Sequence, residues 1–537
     1  MHVTLETMNR PQHMDHPLWI ATLQNAPLSF GQWVYGTFAF RTIACLGLIL
    51  FLTPAYCTLA EETDSLATVQ ALETVRALEN IIGDIIERNR PSVVAVARVR
   101  RPQVSGPLFQ ETIAPELNGF QYDPKDPEFV PHDFGTGVVV GANGLILTNY
   151  HVLGRDDEQV KASNFFVTVA TGKVYDAQIF AADPWSDLAV LKIAATDLKP
   201  IEFGDATQVR QGSFVVALGN PYAVARDGRP SASWGILSNR SRKLGLSAHS
   251  SPAGGRETMH HFGTLLQTDA KLNWGASGGA LLNLRGKMIG LTISLAAAIA
   301  FESAAGYAIP VDKTFQRIVD ELRKGKEVEY GFLGVSPENL RSESALGDSP
   351  TGVRLRQVLP GTPADLAGLF TGDIVTHIDG EVVANTDQFM LFIGRHPVGT
   401  RIPLQIQRGG VEILLEVTLA KKQVLGARST IANKDNRWWR GLHFDHATSS
   451  ESFRELSVID SSQYVVVTDV LKDTPAWRSG VRRGMFISHA AEQRVETPAA
   501  FLAAVANHLG PVELRFTEHE TNDHTIRIIE PVKTNEN

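Results

Sequence analysis

Three short segments carry side chains suited to nucleophilic catalysis. TNYHV at 148–152, DPWSDLAVLKI at 183–193 and WGASGGALLN at 274–283 supply His151, Asp187 and Ser277, in that order. A serine hydroxyl is a poor nucleophile near neutral pH. It needs an imidazole within hydrogen-bond reach to take its proton, and that imidazole needs a carboxylate to fix its tautomer and stabilise its cation. His151, Asp187 and Ser277 are the expected base, orienting acid and nucleophile. The glycines around the serine have a separate use: a turn without Cβ obstruction lets backbone N–H groups converge on the oxygen that becomes negative in a tetrahedral intermediate. Gly275 and Ser277 are the expected oxyanion donors.

Each of these segments lies beside a strand-like run. From Pro91 onward the sequence reads SVVAVARV, GTGVVV, GLILTN, FFVTVA, DLAVLKI, FVVALG and KMIGLTI, separated by Gly, Asn and Asp turns. Such short β-branched runs predict an all-β barrel or sandwich over residues 91–312. The aperiodic, Pro- and acid-containing stretch between Arg101 and Asp133 reads as a long surface loop. Upstream, Leu66, Val69, Leu72, Val75, Leu78, Ile82 and Ile85 recur at helical spacing and the run stops at Arg90 before Pro91. This predicts an amphipathic helix from Ser65 to Arg90 that packs on the following domain.

After ELRKGKEVEYG at 321–331 the composition changes. GFLGV, GVRLRQV, DIVTHIDG and ILLEVTLA are strand-like, whereas PADLAGL and residues 386–395 read as short helices. The layout recurs: GTPADLAGLFTGDIV at 361–375 aligns with DTPAWRSGVRRGMFI at 473–487. A repeat of roughly a hundred residues is too long for a solenoid unit and fits two copies of a small domain.

The whole chain has 537 residues, 43% hydrophobic and 20% charged, which excludes disordered and polytopic membrane classes and suits a chain of several domains. With 50 basic against 58 acidic residues spread along the chain, nothing points to a nucleic-acid partner. Only Cys45 and Cys57 are present, so a disulfide framework or a Cys-rich zinc site is excluded. Residues 38–60 combine basic Arg41, an apolar run from Ile43 to Leu52, Pro54, and small residues before Glu61. That is the order of a secretory signal cleaved after Ala60, or of an uncleaved membrane anchor, and a mature chain without cysteine suits an oxidising envelope compartment. No motif calls for a cofactor or metal. His260-His261 and His443 with His446 read as solvated loops, Arg240, Arg242 and Lys243 as a solvated face, and Trp438 and Trp439 as domain-edge packing.

The three catalytic segments resemble those of the high-temperature-requirement (HtrA/DegP) serine proteases, and the downstream repeat resembles their PDZ domains. GNPY at 219–222, LQTDAKLN at 266–273 and GYAIPVD at 306–312 are also similar to that family. The likeness is close over residues 91–422 and weaker beyond. It implies a mainly β fold, a trypsin-like double β-barrel followed by two PDZ-like α+β domains, arranged as a protease domain at 91–320, a first PDZ domain at 327–422 and a degenerate second one at 436–532. Two departures stand at the nucleophile loop: Ala276 where the family has Asn, and Trp274 where a Pro or small residue is common. The missing amide is expected to loosen the turn. The loop from Tyr222 to Trp234 is longer than usual for the family.

The resemblance also implies an ATP-independent serine endopeptidase that cleaves unfolded or damaged proteins, regulated by C-terminal peptides bound to its PDZ domains, with a homotrimer or a multiple of trimers as the assembly. On the trypsin-like plan the S1 pocket is walled by Lys271, Leu272 and the residues up to Trp274, by Thr292, Ile293 and Ser294, and by Tyr307 and Ala308. It lacks an acidic residue, so cleavage after Val, Ala, Leu or Ile is expected. Gly331, Phe332, Leu333 and Gly334 form the expected carboxylate loop of the first PDZ domain, and Arg440-Gly441-Leu442 that of the second. The rival reading is a protease-fold chaperone or peptide-binding scaffold with weak or no proteolysis.

Overall fold

The structure is a computed structural model. It describes residues 53–100, 131, 133–154, 156–220, 228–243, 258–294, 306–340, 351–423, 430–434, 437–450, 453, 464–517 and 524–532, with residues 53–67 and His524 given by their backbone. The apolar run of the expected signal and nearly all of the loop between Arg101 and Asp133 lie outside the described residues. Among the described residues no helix is long and apolar enough to cross a membrane.

The chain divides into two units, Met1–Val75 and Arg76–Asn537. The N-terminal helix runs Thr53–Asn89 and so begins well before Ser65. Pro54 does not break it, because a proline in the first turn lacks only an N–H that has no helical partner there. In the first unit Val69, Leu72 and Val75 are exposed. In the second, Ile82, Ile85 and Ile86 pack into the core of the β-rich domain.

Twelve strands follow: β1 (Val93–Arg100), β2 (Asp133–Gly141), β3 (Leu145–Asn149), β4 (Ser163–Thr168), β5 (Val174–Asp183), β6 (Leu188–Ile193), β7 (Phe214–Gly219), β8 (Ser231–Arg242), β9 (Leu265–Thr268), β10 (Ala280–Asn283), β11 (Met288–Ile293) and β12 (Gly306–Pro310). Strands β1–β6 are ordered β5-β4-β1-β2-β3-β6 and close through a β5–β6 pairing; β7–β12 form a second closed barrel. Trp234, expected in a loop, lies within β8. One core fills the first barrel around Val94, Ile146, Val167 and Leu191, and another fills the second around Ala217, Leu266, Leu281 and Ala308. A third joins the two barrels through Val138, Leu188, Leu218, Leu291 and Ile293, sealed by the helix Lys313–Arg323. That helix is capped by the Asp312 side chain at the Phe315 N–H.

The repeat seen in the sequence is a repeat of topology. Strands β13 (Gly331–Phe332), β14 (Val335–Asn339), β15 (Val353–Val358), β16 (Ile374–Ile378), β17 (Glu381–Val382), β18 (Arg401–Arg408), β19 (Val411–Thr418) and β20 (Ala420–Lys421) build a first unit, with sheet order β14-β15-β16-β18-β19 and β17 on β16. After β21 (Ile431–Ala432) come β22 (Trp438–Trp439), β23 (Leu442–His446), β24 (Val465–Val470), β25 (Phe486–Ala490), β26 (Gln493–Arg494), β27 (Val512–Thr517) and β28 (His524–Ile529). Their order β23-β24-β25-β27-β28, with β26 on β25, repeats the first. The packing repeats as well: a Cβ on Gly334 would lie 2.2 Å from Thr362, and one on Gly441 would lie 2.2 Å from Thr474. Between the units β21 adds to the edge of β5, pairing Ile431 with Ala182 and Ala432 with Ala181.

Candidate active site

The site lies where the barrels meet. β3 ends at Asn149, and the short helix Tyr150–Leu153 carries His151. Asp187 closes the turn between β5 and β6 with φ of 56°, a left-handed conformation that an Asp tolerates better than most residues. The turn is pinned by the Tyr150 N–H on the Asp187 carbonyl at 2.9 Å. The His151 N–H donates to Asp187 Oδ1 at 3.0 Å, and His151 Nδ1 lies 2.7 Å from Asp187 Oδ2. A carboxylate at Nδ1 holds the proton there and leaves Nε2 free to act as a base. Burial alone would raise the Asp187 carboxyl, but His151, through its charge and its hydrogen bonds, holds it below the usual carboxylate value.

Ser277 is buried on the loop before β10 and approaches from the second barrel. Its Oγ accepts the Ser294 N–H at 2.9 Å, and no hydrogen bond joins it to His151 among the described residues. The Gly275 and Ser277 N–H groups have no internal partner among the described residues. Each glycine of this loop has a separate steric reason. A Cβ on Gly275 would meet the Asn220 carbonyl at 2.5 Å, one on Gly278 the Thr136 carbonyl at 2.0 Å, and one on Gly279 the Leu218 carbonyl at 2.3 Å.

The turn around Ala276 is held by three hydrogen bonds. Thr136 on β2 donates its hydroxyl to the Gly275 carbonyl at 2.7 Å and its N–H to the Ser277 carbonyl at 2.8 Å, while the Thr292 hydroxyl donates to the Ala276 carbonyl. Ala276 itself is buried against Gly219. Trp274 is half exposed and stacks on Phe134, with centroids 6.3 Å apart.

Sequence reasoning missed the supports behind Asp187. His260 is 2% exposed rather than solvated. Its Nε2 lies 2.8 Å from the Ser186 carbonyl and its Nδ1 2.9 Å from the Thr264 hydroxyl. Since a carbonyl can only accept, Nε2 carries the proton. Burial lowers the His260 pKa, against the opposing pull of that bond and of the Asp187 charge. Asp183 is likewise buried, and burial raises its carboxyl although Ser186, Tyr330 and Trp185 donate to it. The DPWSD run was the available signal, since an Asp three residues before a Ser can accept its N–H.

The expected S1 residues divide. Lys271 is exposed, and its carbonyl accepts from the Ser233 hydroxyl at 2.9 Å. Leu272 packs towards Gly306 and the core of the second barrel. Ser294 touches Ser277, as above. Thr292 is fully buried beneath the Ser277 loop, and Ile293 belongs to the core between the barrels. Along a strand successive side chains face opposite ways, and here both faces of β11 are buried.

In the first C-terminal unit the Gly331 N–H is already taken by the His396 carbonyl at 2.7 Å, which removes it from the expected carboxylate donors. Leu333 and Gly334 have N–H groups without an internal partner among the described residues. β14 pairs only with β15 there, leaving an edge beside the helix Thr386–Gly394. Asp373 of the Gly372-Asp373 turn is buried and accepts Arg408 Nε at 2.7 Å and Nη2 at 2.8 Å. In the second unit Met485 stands at that place, its Sδ 3.4 Å from the Arg482 N–H. The Arg440 guanidinium donates to the carbonyls of Ile529, His508 and Gly510, a structural role. Trp439 packs on Phe501, as domain-edge packing requires.

His446, expected in a solvated loop, ends β23. Glu329, Asp445 and His446 have ligand-type atoms within 4.8 Å of one another. Side-chain cations occupy that acidic group: Lys421 Nζ lies 2.6 Å from Asp445 and 2.8 Å from Glu327, and Arg437 lies 3.0 Å from Asp445 and also pairs with Glu327.

Comparison with known proteins meets this geometry from outside. Residues 135–291 match the trypsin-like peptidase domain and residues 331–419 the PDZ domain. A probable periplasmic serine endoprotease DegP-like of Chlamydia trachomatis is 30% identical over 381 residues, 70% of each chain. The periplasmic serine endoprotease DegP of Escherichia coli K12 is 28% identical over 485 residues, 86% of this chain and 93% of that one. Among solved structures, the HtrA-type protease AlgW with tripeptide is 25% identical, covers 64% of this chain and 98% of that one, and has a TM-score of 0.48. The 30% identity to the DegP-like endoprotease over 70% of each chain, together with the peptidase and PDZ matches, makes the chain a serine endopeptidase that belongs to the HtrA/DegP family.

Proposed function

We propose that Ser277 attacks peptide carbonyls of unfolded or damaged proteins in the cell envelope, with His151 as general base and Asp187 as its orienting acid. The 2.7 Å contact between His151 Nδ1 and Asp187 Oδ2 at the barrel junction supports this reading most strongly. In the reaction His151 Nε2 takes the hydroxyl proton as the Ser277 Oγ–C bond forms. The tetrahedral oxyanion is held by the Gly275 and Ser277 N–H groups, and the same proton then passes to the leaving amine, giving an acyl-enzyme that water hydrolyses. No cofactor enters these steps.

The remaining features of the reading follow the same plan. Residues 91–320 are the protease domain, 327–422 the first PDZ domain and 436–532 a second; residues 38–60 are a signal cleaved after Ala60 or an anchor, and the assembly is a homotrimer or a multiple of trimers. Leu272 and Ser294, with the stem of Lys271 along one wall, face the side chain before the scissile bond, which favours cleavage after Val, Ala, Leu or Ile. Free C-termini of peptides add to β14 with the carboxylate on Leu333 and Gly334. One observation favours the chaperone reading: the Ser277 hydroxyl is engaged by Ser294 rather than by His151. Casein digestion by the purified protein beside Ser277→Ala separates the two. The protease reading expects digestion by the wild type alone, whereas intact casein that is nevertheless kept from aggregating supports the chaperone.

A further inference from the structure

The turn that carries Asp187 is fastened by a residue from outside both barrels. Tyr330 directly precedes β13, is 1% exposed, and donates its hydroxyl to Asp183 Oδ2. The same oxygen accepts the Ser186 N–H at 3.0 Å and the Ser186 hydroxyl, and Oδ1 accepts the Trp185 N–H at 3.3 Å. Ser186 is bonded directly to Asp187, whose left-handed backbone leaves little freedom for the preceding peptide. The Tyr330 ring meets Trp185 edge-on at 6.5 Å, and its carbonyl accepts the Lys422 N–H at 2.7 Å, so its backbone and ring are held independently of the hydroxyl.

A carboxylate as buried as Asp183 must be surrounded by donors. Three of its four come from the turn itself, and Tyr330 supplies the one that ties the turn to another part of the fold. Without that hydroxyl the Asp183 carboxyl is free to reorient or take a proton. Either change releases Ser186, and with it the register of Asp187 against His151.

We propose that Tyr330 is a positioning residue for proteolysis: its hydroxyl fixes Asp183 and, through Ser186, the turn that presents Asp187 to His151. The proposal rests on the reading of His151, Asp187 and Ser277 as the catalytic triad.

Tyr330→Phe tests it, because the ring and its packing stay. The wild type and the variant are assayed as full chains on fluorogenic casein from pH 5 to 9, with thermal melts to establish folding. The expected result is a fall in kcat of roughly tenfold at unchanged KM, with the acid limb of the kcat/KM profile displaced to lower pH, since a misplaced carboxylate stabilises the imidazolium less. Ser186→Ala removes the hydroxyl half of the same link inside the barrel, the Ser186 N–H remaining on Asp183, and should displace the limb in the same direction. A Tyr330→Phe variant with wild-type kcat and an unmoved acid limb overturns the proposal, as does a limb that moves only in Ser186→Ala. If the wild type itself fails to cleave casein, it is the triad reading that falls.

Discussion

Thr136 and Gly275, one on each barrel, are joined by a 2.7 Å hydrogen bond from the threonine hydroxyl to the glycine carbonyl. The same hydroxyl accepts the Asn220 N–H at 2.8 Å. Thr136 thus sets the plane of the peptide that follows Gly275 from the opposite side of the cleft, and with it the aim of the nearby N–H groups.

Thr136→Val keeps the shape and removes both bonds. It leaves a buried acceptor and a buried donor unpaired, which should cost about 2–4 kcal/mol in urea unfolding. Because the loop bearing the proposed oxyanion donors loses its anchor, kcat should fall by roughly 10-fold to 100-fold with little change in KM. A variant that loses stability but keeps the wild-type kcat would contradict a role for Thr136 in aiming those donors.

His446 makes the junction between the two C-terminal units sensitive to acid. Burial lowers its pKa to about 4; Asp445 opposes the shift, and the Lys421 and Arg437 cations reinforce it. The folded pKa lies below the unfolded value near 6.5, so as the pH falls the unfolded chain binds a proton that the folded chain does not. The contribution of His446 to stability should be full above pH 6.5 and be lost down to about pH 4, by about 3 kcal/mol. His446→Asn cannot take that proton. Denaturant melts at pH 7 and pH 4.5 should show the wild type losing more stability than the variant, and equal losses would refute the assignment.

How much of this could be read in advance differs from residue to residue. The meeting of His151 and Asp187 was legible because the residue types and their places beside strands narrow the choice, and the glycines around Ser277 follow from steric need. The C-terminal repeat was legible because Gly334 with Thr362 and Gly441 with Thr474 preserve one packing solution. His260 and Tyr330 were not, since each acts through a partner distant in sequence: His260 through Ser186, and Tyr330 through Asp183. How Ile293 is placed was not legible, because an apolar run such as β11 does not reveal which face meets solvent; here both faces are buried. The helix start was misplaced because Pro54 signals a break in a helix interior but is tolerated in a first turn.

The first PDZ unit should distinguish a free C-terminus from a blocked one. Fluorescence polarisation with an apolar peptide should show clearly tighter binding of the free acid than of its C-terminal amide, because N–H groups such as those of Leu333 and Gly334 gain a charged acceptor only from the former. Equal affinities would remove carboxylate capture from the reading of this loop.

Labelling with a fluorophosphonate, followed by mass spectrometry of the adduct, bears most directly on the chemistry. The reagent phosphonylates a serine whose proton is removed by a neighbouring base. The reading predicts a single adduct on Ser277 in the wild type and none in His151→Ala or Ser277→Ala. An unlabelled wild type, or an adduct on another serine, would contradict it.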